Sequence, residues 1–171
     1  CNWLTAEATR AGKTLLLLNL DETPIPLTFT HSQGKVMRLD PARAWLRAPR
    51  QQSDRAVQRS YFTHVGLICN DPAVQPLLPQ VLFVGANLIT NAAFATIQAE
   101  LPGNVYVKKM KKGWNNVKEH CIIIRLLTLV LQPLRERYQP LLIFDAAPLH
   151  LADDVMQELA TASIWYLVVP A

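Results

Sequence analysis

The chain has 171 residues, half of them hydrophobic and 18% charged, with a formal net charge of +4. This is the length of one ordinary domain with enough apolar residues for a sizeable core, which excludes a disordered or low-complexity scaffold. The charge is a modest lean toward polyanionic partners. Apolar runs such as residues 15–18 and 121–124 fall far short of the roughly 18 residues of a membrane span, so no membrane association is expected.

Cys1, Cys69 and Cys121 cannot all pair and none sits in a CxxC. Neither a disulfide framework nor a structural zinc site is expected, and an intracellular, reducing compartment follows. No signal-peptide pattern follows Cys1, and Ala171 comes just as a strand ends, so both ends read as cut from a longer protein.

In chain order, residues 1–13 read as an N-terminal linker. Residues 14–20 (TLLLLNL) form a compact apolar run, long enough for a central strand and too short for a free-standing helix. Asp21, Glu22 and Thr23 follow, and Pro24 and Pro26 then break regularity. Residues 27–31 and 35–39 suit a hairpin turning at Gln33 and Gly34. Residues 38–59 hold Arg38, Arg43, Arg47, Arg50, Arg55 and Arg59 against only Asp40 and Asp54. We read a basic, exposed insertion at about 38–60. Residues 62–69 and 81–84 read as strands, separated by a proline-rich loop and closed by Gly85.

Asn91 is placed to cap a helix running to Glu100, ended by Pro102 and Gly103. Residues 105–107 form a short strand leading into Lys108, Lys109, Lys111 and Lys112. Gly113 and Trp114 open the longest helix, with Asn116 as an N-cap and Glu119 three residues on as in a capping box, and Pro133 ends or kinks it. Residues 141–144 (LLIF) are a buried-strand pattern ending at Asp145. Residues 151–162 are an amphipathic helix, and residues 164–169 a last strand. Strands come first and then alternate with helices, which predicts a mixed α/β sheet with helices packed on it.

Two apolar strands each deliver an aspartate at the C-terminal end: Asp21 after TLLLLNL and Asp145 after LLIF. Ligands of α/β sheets bind at that rim. If the two strands are neighbours, their carboxylates converge as the oxygen ligands that a hard divalent cation takes. Two such ions can activate a nucleophile and stabilise the leaving oxygen of a phosphodiester.

NLDETP (residues 19–24), KKGWNNV (111–117), FDAAPLH (144–150) and YLVVPA (166–171) resemble, in order and spacing, the DDE-superfamily endonuclease domain of pogo/jerky- and mariner-like transposases. LPQVLFVG (78–85) resembles another strand of that family. The resemblance covers residues 14–171. It implies an RNase H-like mixed sheet flanked by helices, in which Asp21 and Asp145 are the first two acidic metal ligands. His150 matches the family's histidine close to the site. It further implies two Mg²⁺ (or Mn²⁺) ions, DNA as substrate, phosphodiester hydrolysis at transposon ends followed by strand transfer, and a nuclear location. A homo-oligomer is compatible with it. The family's third acid follows the VPA segment; Asp153, Asp154 and Glu158 are too close to Asp145 to match it. The alternative is a catalytically inactive, domesticated form of the fold that binds DNA or protein. A 3′–5′ exonuclease of the same fold usually carries DxE at its first strand, and Asp21 and Glu22 are adjacent instead.

Residues 11–14 (AGKT) lack the first glycine of a phosphate-binding loop, where Glu7 stands, and precede a strand, so no nucleotide cofactor is expected. No GxSxG supports a serine triad. Glu22, pointing away from Asp21 on a strand, reads as a turn or surface acid. His31, His64 and His120 read as core-edge or surface histidines. Lys108, Lys109, Lys111 and Lys112, next to Trp114, are the candidate DNA contacts: lysines gain affinity for phosphates by releasing counterions, and the indole can stack on a base.

Overall fold

The computed structural model describes residues 2–26, 61–111 and 115–170. The hairpin expected within residues 27–39 and the basic insertion, with His31, lie outside the described residues, as do Lys112 and Trp114. Among the described residues no helix is long and apolar enough to cross a membrane, and Cys69 and Cys121 are both free thiols.

The segment expected to be a linker is instead a helix, α1 (Asn2–Arg10), packed on the first strand through buried Ala8. It ends in a Schellman turn. Lys13 N–H reaches Ala8 C=O at 2.9 Å and Gly12 N–H reaches Thr9 C=O at 2.9 Å, and Gly12 supplies the left-handed φ of 71° that the turn needs. The chain then enters β1 (Thr14–Pro26), which is longer than expected.

Leu16, Leu18 and Leu20 are at most 1% exposed, whereas Leu17 between them is 36% exposed. This is the period-two signature of a strand with one buried face. Pro24 and Pro26 do not break the strand. Leu17 turns its N–H and C=O toward Asn70, at the end of β2 (Tyr61–Cys69), so even-numbered residues turn theirs to the other edge. That edge is paired with β5 (Tyr138–Asp145) only as far as Asn19. The missing N–H groups of both prolines therefore fall where no ladder bond is needed.

The remaining elements are β3 (Gln80–Gly85), α2 (Asn91–Glu100), β4 (Val105–Met110), α3 (Val117–Leu131), α4 (Asp153–Thr161) and β6 (Trp165–Val169). The six strands of the described residues form one mixed sheet in the order β4-β3-β2-β1-β5-β6. β1 pairs antiparallel with β2 and β2 with β3, whereas β1–β5, β5–β6 and β3–β4 are parallel. One face of this sheet packs under α3 and α4. Leu18, Leu67, Phe83, Leu142 and Phe144 from the strands meet Ile124, Leu127 and Leu131 of α3 and Val155 and Leu159 of α4. Each fully buried leucine stabilises the fold by roughly 2 kcal/mol.

Several local expectations shift. Thr90, not Asn91, caps α2, its hydroxyl accepting Ala93 N–H at 3.2 Å. Asn116 caps α3 as expected, accepting Glu119 N–H at 3.2 Å. The reciprocal half of the capping box is not made. Asn116 N–H goes to Asn115 Oδ1 at 2.9 Å, and the Glu119 carboxylate takes Lys108 Nζ instead.

A candidate metal centre at the rim of β1 and β5

Asp21 and Asp145 each lie two residues beyond Asn19 and Ile143, the last paired residues of two adjacent parallel strands. Asn19 Nδ2 donates to Ile143 C=O at 3.3 Å and ties the strands together just short of that rim. By strand alternation Asp21 shares a face with Leu17 and Asn19, and Asp145 shares one with Leu141 and Ile143, both opposite the face under α3 and α4. The Asp145 side chain is 54% exposed. Its Oδ1 accepts Ala147 N–H at 3.1 Å and is 2.7 Å from His150 Nδ1. Asp21 is exposed, and its Oδ1 accepts Glu22 N–H at 2.8 Å.

His150 sits at the end of a turn closed by its own N–H to Ala147 C=O at 2.9 Å. Its side chain is 5% exposed, packed edge-on against the Phe144 ring with centroids 5.5 Å apart. From Asp145 the imidazole reaches over the rim to the helix-covered face, where Nε2 lies 3.8 Å from Glu22 Oε1. That is too far for a hydrogen bond, and Nε2 is buried without a hydrogen-bond partner.

Sequence reasoning missed two residues of this site. Glu22 does point away from Asp21, as expected, but the face it enters is the one holding Leu16, Leu18 and Leu20, so it is not a surface acid. His120 is 1% exposed on the first turns of α3, not at an edge or on the surface. Its ring lies 4.9 Å, centroid to centroid, from that of His150. Asn115 Nδ2 donates to Glu22 Oε1 at 2.6 Å and to His120 Nδ1 at 3.0 Å. Both signals were present in the chain: the period-two pattern continues from Leu20 to Glu22, and His120 shares a helical face with Ile123, Ile124 and Leu127.

The electrostatics follow from this crowding. Burial and then the neighbouring His150 charge depress His120 to about 4, so it is neutral near pH 7. For His150 burial acts downward but is outweighed by Glu22 and Asp145, and its pKa rises above the usual value. For Glu22 burial acts upward but is outweighed by His150 and Asn115, which hold the carboxyl below its usual range.

The expected lysine surface is only partly free. Lys108 and Lys109 lie within β4, not in a loop: Lys108 pairs with Glu119, and Lys109 Nζ donates to Ile89 C=O at 2.9 Å and Asn91 Oδ1 at 2.8 Å. Lys111 is exposed. His64 is half-buried at 3.0 Å from Gln80 Oε1, opposite Thr23 on β2, as a core-edge histidine.

Three antiparallel strands, continued by β5 and β6 in parallel on one side and by β4 on the other, with the crossover helices α3 and α4 on one face, make this an RNase H-like α/β fold. A solved structure of the Mos1 transposase, in a paired-end complex with the left transposon end, matches 100% of this chain and 40% of its own, with a TM-score of 0.53 and 17% identity. At that identity the match shows the fold, and the chain spans about two fifths of that transposase's length. No family model matches the sequence, and no curated protein matches it.

Proposed function

We propose that the chain is the catalytic core of a DDE-type transposase, which cuts and rejoins DNA phosphodiesters with the help of divalent cations. The observation that supports this best is the placement of Asp21 and Asp145, level with each other on adjacent parallel strands and on the same face. The fold shared with a transposase captured on its transposon end adds to it.

The donor chemistry fits a hard cation. Both side chains are carboxylates and both are exposed at the rim; such oxygen pairs suit Mg²⁺ or Mn²⁺. A cation held there supplies charge that stabilises a developing oxyanion and acidifies bound water. The chain's own residues supply the alignment. His150 and the Ala147 N–H both hold Oδ1 of Asp145, fixing the carboxylate plane, while the Asn19 bond to Ile143 keeps β1 and β5 in register beneath it. Exposed Lys111, with Lys112 and Trp114, is our candidate contact to the DNA backbone.

The test is Mg²⁺-dependent nicking of supercoiled DNA by the full-length protein that carries this domain. Asp145→Asn, isosteric and exposed, is expected to reduce nicking to background while the far-ultraviolet circular dichroism stays unchanged. Undiminished nicking removes Asp145 from the chemistry. DNA binding without nicking by the unmodified protein marks the fold as an inactive binding module.

A further inference from the structure

On the helix-covered side of the same rim, Glu22, His120 and His150 come from β1, the start of α3 and the turn before α4. One ligand atom from each lies within 4.8 Å of the others. We propose that these three residues bind one borderline transition-metal cation of the Zn²⁺ type, at a site separate from the Asp21 and Asp145 carboxylates.

Three observations carry this. First, each of the three groups offers an electron pair within that span. Asn115 Nδ2 is a donor to Glu22, so it is a donor to His120 as well, and His120 Nδ1 is the unprotonated nitrogen. Second, His150 is arranged as metal-bound histidines are: one ring nitrogen against a carboxylate, Asp145 at 2.7 Å, and the other bare and directed at the remaining ligands. A buried nitrogen with no hydrogen-bond partner, 95% covered, is otherwise a cost to the fold. Third, an electron-pair-seeking group, the Asn115 amide, already sits between two of the three ligands.

Two imidazoles and one carboxylate suit Zn²⁺ and its neighbours, not Mg²⁺. Donors around a tetrahedral zinc are roughly 3.4 Å apart, so the 3.8 Å between His150 Nε2 and Glu22 Oε1 needs only a small side-chain closure, with the Asn115 amide displaced. Water takes the fourth position. Cysteine spacing argued against zinc in this sequence; these ligands are separated by 98 and 30 positions and carry no linear motif.

The experiment is calorimetric titration of ZnCl₂ into the chelator-stripped chain, repeated with CoCl₂ and read by visible absorption. One equivalent is expected to bind, with the intense visible bands of tetrahedral Co²⁺. Glu22→Gln keeps the size of the side chain and an oxygen for Asn115, and it is expected to weaken binding at least about tenfold. His150→Gln is expected to do the same. Asp21→Asn, on the other face, is expected to leave Zn²⁺ affinity within about twofold, and nicking can fail in that variant without touching this result. No saturable Zn²⁺ binding, or binding indifferent to both Glu22→Gln and His150→Gln, overturns the proposal and leaves a proton on His150 as the occupant.

Discussion

His120 is a neutral imidazole held in a crowd of ionisable groups, with Glu22, His150 and the Asn115 amide facing it. Its folded pKa of about 4 lies below the ordinary 6.5. The unfolded chain therefore takes up the proton first as pH falls, and the stability His120 contributes is present above pH 6.5 and lost on the way down to about 4. His150 has the opposite sign. Its raised pKa contributes stability that is full below 6.5 and is lost as pH rises through its folded value. The two windows barely overlap. Glu22, Asp71 and Glu158, all held below their usual range, lose their contributions at lower pH still. Between pH 6.5 and about 4.5, with chelator present, urea midpoints are expected to fall more steeply for the unmodified chain than for His120→Gln. Equal slopes would show that His120 titrates normally.

Periodicity places Glu22 and His120 on core-facing sides, against their reading as surface or edge residues, but it does not make them partners. Period two puts Glu22 on the core face, and the helical period puts His120 on the packed side of α3. What one sequence cannot state is that these two faces meet, because their contact depends on how β4, α3 and β5 cross the sheet. The Asp21–Asp145 pair was readable for the opposite reason. Both acids close apolar runs of strand type, and a parallel sheet brings such ends to one rim without any side-chain detail. Lys108 and Lys109 misled because a run of lysines looks solvated, whereas alternation along β4 sends one toward Glu119 and the other toward Asn91.

At the scale of elements, most strands and helices follow from local pattern, and the departures have physical causes. β1 outlasts its prolines because, among the described residues, its second edge is paired with β5 only as far as Asn19. α1 was read as a linker because its nine residues NWLTAEATR carry only one buried side chain, Ala8, and so little apolar periodicity. The end of α4 offers a direct test of helix-end chemistry. Ile164 N–H bonds Leu159 C=O at 3.0 Å and Ser163 N–H bonds Ala160 C=O at 2.9 Å, a Schellman turn with Ser163 at the left-handed position. Its φ is 48°, a conformation that a Cβ disfavours. Ser163→Gly is therefore expected to stabilise the chain, by up to about 1 kcal/mol, in contrast to glycine placed elsewhere in a helix. Chemical denaturation measures it, and a lower midpoint in the variant would contradict this account of the turn. Arg135, which donates to Ala162 and Ser163 carbonyls at the same end, is left in place by that substitution.

At the scale of the molecule, the sheet puts the two proposed metal sites on its two faces. Odd-numbered β1 positions carry Asp21 to the face it shares with Asp145, and even-numbered positions carry Glu22 to the histidines. His150 joins them, one nitrogen on Asp145 and the other turned toward Glu22. The measurement that bears most directly on the functional reading is Mn²⁺ binding to the chain, followed by calorimetry in the unmodified protein, Asp21→Asn and Asp145→Asn. If the two carboxylates share an ion, each substitution alone weakens Mn²⁺ binding at least about tenfold, while Glu22→Gln leaves it nearly unchanged. Mn²⁺ affinity that survives both aspartate substitutions would contradict a shared centre and, with it, the assignment of this rim to phosphodiester chemistry.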